Sequence, residues 1–214
     1  MPASTYRYES IVDIINEINR LHYSFSSDLR AHLCFNLKKS VSSIVVDNSI
    51  NRDFQDLIVS YKVELNRNII KVSDIQNKFV GIRYRIKQAE SISEKILYYM
   101  SEIHEFGKVP LNKCLNDFLG FRILVKDLEY VYCALQSDNR VTGIAKMYLR
   151  TDGDYRGIHL YFKNGNNKFF PWELQIWDIG QSHLNELSHK EHKQKRKYIS
   201  LPQNYFDANL EKEE

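Results

Sequence analysis

The chain has 214 residues, with 30 Lys and Arg against 27 Asp and Glu, for a net charge of +3. Hydrophobic residues make up 43% and aromatics 13% of it, enough for a packed core, which excludes a disordered or low-complexity chain. The charge is too evenly balanced to mark a nucleic-acid-binding protein by itself. Cys34, Cys114 and Cys133 are too few and too scattered for a disulfide framework or a cysteine-based zinc site. No apolar stretch follows the polar N-terminus as in a signal peptide, and the longest apolar runs reach about five residues against the roughly 20 that span a bilayer. A soluble, cytoplasmic protein with no membrane partner is expected.

From Glu9 to about Leu37, Ile11, Ile14, Ile15, Ile18, Leu21 and Phe25 recur at helical spacing, with Ser24, Ser26 and Ser27 as a point where two helices divide. Residues 38–50 read as a short strand or a loop. Asp53 to Arg67 is a second helix, and Lys71 to Asn77 is another helical turn. Near Val80 the pattern changes. "VGIRYRIK" alternates as a strand does, and a helix follows to Phe106, opened by an S-x-x-E capping box of Ser91 and Glu94 and closed by Gly107. "DFLGFRILV" predicts a strand, Asp127 to Ser137 a helix, "GIAKMYL" and "YRGIHLYFK" two strands, and "KFFPWELQIW" another. A basic helix over 179–198 and an acidic, disordered tail complete the chain. The expected class is α+β: a mixed sheet flanked by helices over 80–198, an N-terminal helical extension over 1–79 and a tail over 199–214.

Four clusters carry polar residues that a plain core would not need. Arg85 and Lys87 share a strand face, Ser91 opens the next helix and Lys95 lies a turn further on; cations around a helix N-terminus suit a triphosphate. The ordinary alternative is a solvated strand edge with a routine cap. Asp117 leads into an apolar strand that carries Arg122, and a carboxylate there calls for a partner such as a metal. Tyr155 and His159 begin a strand, as a stacking ring and a hydrogen-bond donor or as surface aromatics. Glu173 and Gln175 stand on one face of "WELQIW", which marks a cleft, and Asp117 with Glu173 would supply the two carboxylates of a Mg²⁺ site.

Five stretches in this order, RIKQAESISEK (85–95), DFLGFR (117–122), DYRGIH (154–159), ELQIWD (173–178) and ELSH (186–189), resemble the synthetase domain of the RelA/SpoT family. The resemblance implies a nucleotidyltransferase-like fold and a pyrophosphokinase, which moves the β,γ-diphosphate of ATP onto a ribose 3′-hydroxyl. It implies that Arg85 and Arg122 hold adenine between them, and that Lys87, Ser91 and Lys95 bind the phosphates. It implies that Asp117 ligates Mg²⁺ and that Glu173 completes the metal site or acts as base. Tyr155 would stack on the acceptor base, and His159 and Gln175 would line its pocket.

The acceptor side departs from the family pattern. Asp154 stands for glycine, Gly157 for serine, and Trp177-Asp178 for Arg-Thr. With the long helical N-terminal region, this resembles the toxic branch of the small alarmone synthetases, some of which are paired with an antitoxin and modify the 3′-CCA end of tRNA. For a tRNA acceptor the expected cationic track is Lys190, Lys193, Lys195, Arg196 and Lys197, with Lys38, Lys39, Arg140, Lys146 and Arg150 as further candidates. The rival readings are an alarmone synthetase acting on GDP, GTP or an adenine nucleotide, and an inactive nucleotide- or RNA-binding module on the same fold.

Overall fold

A computed structural model describes residues 6–188, 190 and 191. Helix α1 (Tyr8–Asp28) buries the predicted stripe from Ile11 to Phe25 on one side. It ends well before Leu37. The run Ser26-Ser27-Asp28 competes for the backbone, and the Ser27 hydroxyl bonds back to the Tyr23 carbonyl at 2.9 Å. The ambiguous stretch resolves into a 3₁₀ turn (Val41–Ile44) and a small hairpin of β1 (Val45–Val46) and β2 (Ser49–Ile50). Asp47 and Asn48 at its tip have φ of 48° and 56°, the left-handed values that a two-residue hairpin turn demands and that Asp and Asn tolerate.

Asn51 caps α2 (Arg52–Arg67) by accepting a bond from the Phe54 amide at 3.1 Å, and α3 (Ile69–Lys78) follows after Asn68. Strand β3 (Arg83–Ile86) leads into α4 (Ala89–Tyr98). Here the structure corrects two expectations. The cap is Gln88, in extended backbone and without a side-chain bond, and the good helix former Ala89 opens the helix, so Ser91 sits inside the first turn and forms no capping box. The helix also stops at Tyr98, not Phe106. Residues Glu102–Gly107 form a 3₁₀ segment in which Glu105 and Phe106 turn left-handed before Gly107 (φ +80°). A Cβ at Gly107 would stand 2.9 Å from the Ser42 amide nitrogen, which explains the glycine.

A short helix α5 (Leu111–Cys114) precedes β4 (Leu119–Val125). Helix α6 (Leu128–Ser137) falls where it was expected and is capped by Asp127, whose side chain accepts from the Tyr130 amide. Strands β5 (Ala145–Asp152), β6 (Tyr155–Phe162) and β7 (Trp172–Asp178) complete a five-stranded sheet of order β3-β4-β7-β6-β5. Only β4 and β7 run parallel. A last helix, α7, covers 182–188 and continues at 190 and 191. The expected α+β class, a mixed sheet flanked by helices, is the one observed.

Side-chain alternation divides the sheet into two faces. One is apolar: Phe121, Ile123, Ile158, Leu160, Trp172, Leu174 and Ile176 are all buried. Helix α1 lies against it, with Phe25 and His22 at 5.4 and 5.0 Å from the Trp172 ring, and Tyr61 of α2 accepts a bond from the Trp172 indole. One continuous core therefore joins the N-terminal helices to the sheet. Burying each of these aliphatic and aromatic side chains contributes about 1.5–3 kcal/mol. The opposite face is polar, and it carries the candidate site.

Candidate functional site

The polar face exists because every second residue of β7, Glu173, Gln175 and Trp177, points away from the core. Their neighbours in register are Gly120, Arg122 and Leu124 of β4 on one side, and Tyr161 and His159 of β6 on the other, with Gly157 close against the Trp177 ring. Helix α4 and the loop before β4 close one end with Lys95, Asn116 and Asp117, and α7 brings Glu186 and Lys190 over the top. The open cavity between them has a volume of about 470 Å³. Arg85, Lys87, Ser91, Lys95, Asp117, Arg122, His159, Glu173, Gln175 and Lys190, ten of the residues singled out by sequence, all line it.

Two hydrogen-bonded groups organise the cavity. In the first, Asp117 lies between two ammonium groups, 2.5 Å from Lys87 Nζ and 3.0 Å from Lys95 Nζ, and Lys95 also donates to Asn116. Burial pushes the Asp117 carboxyl up, but the Lys95 and Lys87 charges together outweigh it and hold it well below the usual carboxylate range. Burial draws Lys87 down to about 8, against the opposing pull of Asp117. Lys95 is also driven down by burial, yet the attraction of Asp117 leads the influences that leave it raised.

The second group is a chain across β6, β7 and β4. Trp177 Nε1 donates to the Tyr155 hydroxyl at 3.1 Å, and that hydroxyl lies 2.6 Å from His159 Nε2. His159 Nδ1 is 2.7 Å from Glu173 Oε1, and Gln175 Nε2 donates to Glu173 Oε2 at 2.9 Å. Arg122 donates twice to Gln175 Oε1, at 3.2 and 3.0 Å, and once to Glu186 at 3.2 Å. Burial raises Glu173, but the hydrogen bond and charge of His159 reverse this and hold its carboxyl low. Burial also lowers Arg122 to about 10.

The structure differs from the sequence reading at three places. Tyr155 offers no open stacking face: it is 6% exposed, edge-on to Trp177, with its hydroxyl engaged by His159 and Trp177. One face of the Arg122 guanidinium is already taken, because Trp177 lies 3.4 Å beneath it. And Lys87 and Lys95 point at a carboxylate of the protein itself. Of the basic run, Lys193, Lys195, Arg196 and Lys197 lie outside the described residues. So does His189.

Several residues of the site carried no motif. Tyr161 lines the cavity, and Arg150, expected only as part of a cationic track, lines it too and lies over the Tyr161 ring at 5.6 Å. The alternation of "YRGIHLYFK" contained the signal for Tyr161. Asn185, fully buried, pins α7 to β6 by exchanging two hydrogen bonds with the backbone of Arg156, and nothing in its sequence context marked it. Asp117 and Glu173, the two carboxylates expected to hold Mg²⁺, both line the cavity, and each has both of its oxygens in hydrogen bonds, which leaves each oxygen a second lone pair for a cation. Among the described residues no group of three or more acidic, His or Cys side chains forms a self-sufficient metal cage. No described helix is long and apolar enough to cross a membrane.

No family model and no curated protein matches the chain. Among solved structures it is similar to small alarmone synthetase 2 from Bacillus subtilis, with 20% identity over 74% of this chain and 96% of that one and a TM-score of 0.38. Small alarmone synthetase 1 from the same organism, bound to its product pppGpp, gives 17% identity, 70% and 83% coverage and a TM-score of 0.40. A GTP pyrophosphokinase family protein from Streptococcus pneumoniae gives 18%, 74% and 89%, and 0.36. At TM-scores of 0.40 or lower and identities of 20% or lower, these likenesses carry no weight for activity, which rests on the cavity itself.

Proposed function

We propose that this protein is an ATP-dependent pyrophosphokinase of the RelA/SpoT type, and that its acceptor is the ribose 3′-hydroxyl at the end of tRNA. The observation that carries the reading is convergence: ten residues from four separate sequence motifs and the last helix line one cavity. Their charges suit the task. Lys87, Lys95 and Arg85 would take the triphosphate, with Ser91 in the first turn of α4 beside them. Arg122, backed by Trp177, would present its remaining guanidinium face to the adenine, opposite Arg85.

Transfer needs positioning, charge neutralisation and an activated hydroxyl. In the proposed step the 3′-oxygen attacks the β-phosphorus of ATP, and the bond from that phosphorus to the α,β-bridging oxygen breaks. AMP leaves with that oxygen, and the hydroxyl proton passes to Glu173. His159 orients the Glu173 carboxylate through Nδ1 and is itself fixed by Tyr155, so Tyr155 is a positioning residue behind the acceptor pocket, which Gln175 and His159 line. Mg²⁺ held by Asp117 and Glu173 would supply neutralisation of charge on the phosphates.

A toxin role, blocking translation and neutralised by an antitoxin protein, follows from this acceptor. The departures at Gly157 and Trp177 favour it over synthesis of an alarmone on a free nucleotide, and the paired Asp117 and Glu173 argue against an inactive binding module. Incubation with ATP labelled in the β,γ-phosphates, Mg²⁺, and either tRNA or free nucleotides tests the reading. Label on tRNA with matching AMP is expected. Label only on a free nucleotide replaces the acceptor, and absence of AMP with every acceptor overturns the pyrophosphokinase.

A further inference from the structure

The sheet edge beside the cavity is cationic in a way the reaction does not use. Strand β5 is the edge strand, and Lys146, Tyr148 and Arg150 share one face of it by alternation. That face is continuous with the cavity, because Lys146 is in register with Tyr161 and Tyr148 with His159. Lys163, just past the end of β6, has the same parity as Tyr161. Burial draws the Lys163 ammonium down, and the positive charges of Lys146 and Lys113 lower it further. None of Lys113, Lys146, Lys163 and Arg150 has an ion-pair partner among the described residues. Among them Tyr148, a residue 49% exposed, sets its ring 6.1 Å from that of Tyr161.

A single lysine on an edge strand is accounted for by protection against strand pairing. Two cations on one face of the edge strand, Lys146 and Arg150, with the exposed Tyr148 between them and the cavity beside them, exceed what edge protection needs. A polyanion matches them. We infer that the β5 ledge binds a single-stranded nucleic acid end, with Lys146, Lys163 and Lys113 on its phosphates and Tyr148 stacked on a base, so that the terminal ribose reaches the cavity. A single strand fits better than a duplex: an exposed ring can stack only on an unpaired base, and alternating cations and aromatics along a strand are how such ends are held. The inference rests on the proposed acceptor and supplies the surface that delivers it.

The test uses the full chain and a short fluorescein-labelled single-stranded RNA ending in a free 3′-hydroxyl, read by anisotropy, with ATP binding measured in parallel by calorimetry. The triple variant Lys146→Ala, Tyr148→Ala, Lys163→Ala is expected to bind the RNA at least tenfold more weakly with unchanged ATP binding. The slope of log affinity against log salt should flatten by about 0.7 per phosphate contact removed. Lys146→Arg with Lys163→Arg should retain binding, which separates charge from fold, and thermal melting checks that each variant is folded. RNA binding unchanged in the triple variant, or preference for duplex RNA, overturns the ledge while leaving the pyrophosphokinase reading standing. Failure of the wild-type protein to bind ATP overturns that reading first, and the ledge is then judged on RNA binding alone.

Discussion

Gly157 and Trp177 face each other across the β6–β7 ladder, and each explains the other. A Cβ on Gly157 would stand 2.8 Å from Trp177 Cδ1, closer than real Cβ contacts come, and a tight 3.0 Å from the Tyr155 hydroxyl. The indole occupies the room a side chain at 157 would need, and from there it underlies Arg122 at 3.4 Å and donates to Tyr155. The missing side chain at 157 and the large one at 177 are a matched pair in the packing.

Gly157→Ser should therefore destabilise the protein by about 1–3 kcal/mol, the usual cost of overfilling a packed site. Combining it with Trp177→Leu should recover much of that loss. Urea unfolding of the two single variants and the double variant measures the coupling, and strictly additive losses would contradict the pairing.

Asp117→Asn should cost both activity and stability. It leaves the Lys87 and Lys95 ammoniums buried without their counter-charge, a change worth about 3–5 kcal/mol in comparable buried pairs. Adding Lys95→Met should restore part of the stability and none of the transfer. Thermal melts and the labelled-ATP assay separate the two.

Tyr155→Phe removes the hydroxyl that fixes His159 and keeps the ring. Transfer is expected to fall about tenfold, the scale of a lost orienting hydrogen bond, with ATP affinity unchanged. Equal loss of ATP binding would contradict a role confined to the acceptor side.

His22 predicts an acid sensitivity far from the site. It is buried against Trp172, with Nε2 3.2 Å from the Phe170 carbonyl, and burial draws its pKa down to about 4 from the ordinary 6.5. Below pH 6.5 the unfolded chain takes up a proton there and the folded chain does not until about pH 4, so stability falls as pH drops through that window. The loss should reach about 2 kcal/mol by about pH 5. His22→Phe should remove that part of the slope in urea midpoints measured at neutral and at mildly acidic pH.

Much of this was legible in the sequence, for physical reasons that also mark where legibility stopped. The period-two runs in β3 and β7 displayed which residues share a face, so alternation alone was enough to group Arg85 with Lys87 and Glu173 with Gln175. The stripe from Ile11 to Phe25 displayed its own burial. What alternation could not display was which strands lie side by side. That β4 and β7 are parallel neighbours puts Arg122 against Gln175, and that β6 flanks β7 puts His159 on Glu173; both depend on long-range topology. The Ser91 capping box misled because Gln88 and Ala89, with no capping chemistry of their own, start the helix earlier. Tyr155 misled because an aromatic at a strand start looks alike whether its ring is open or edge-on to an indole.

The pairings inside the cavity have a thermodynamic consequence. Asp117 holds Lys87 and Lys95, Glu186 holds Arg122 and, at 3.4 Å, Arg83, and His159 holds Glu173. The proposed nucleotide would meet Lys87, Lys95 and Arg122 with partners in place, so its binding at these three would exchange one set of ion pairs for another. Its affinity is the difference between the two sets, and few loosely held counterions leave with it. The open ledge along β5 works the other way, since its charges are neutralised by ions from solution. If the proposed donor and acceptor bind as described, added salt should loosen the acceptor strand more steeply than the donor, and ionic strength would then bias which of the two stays bound.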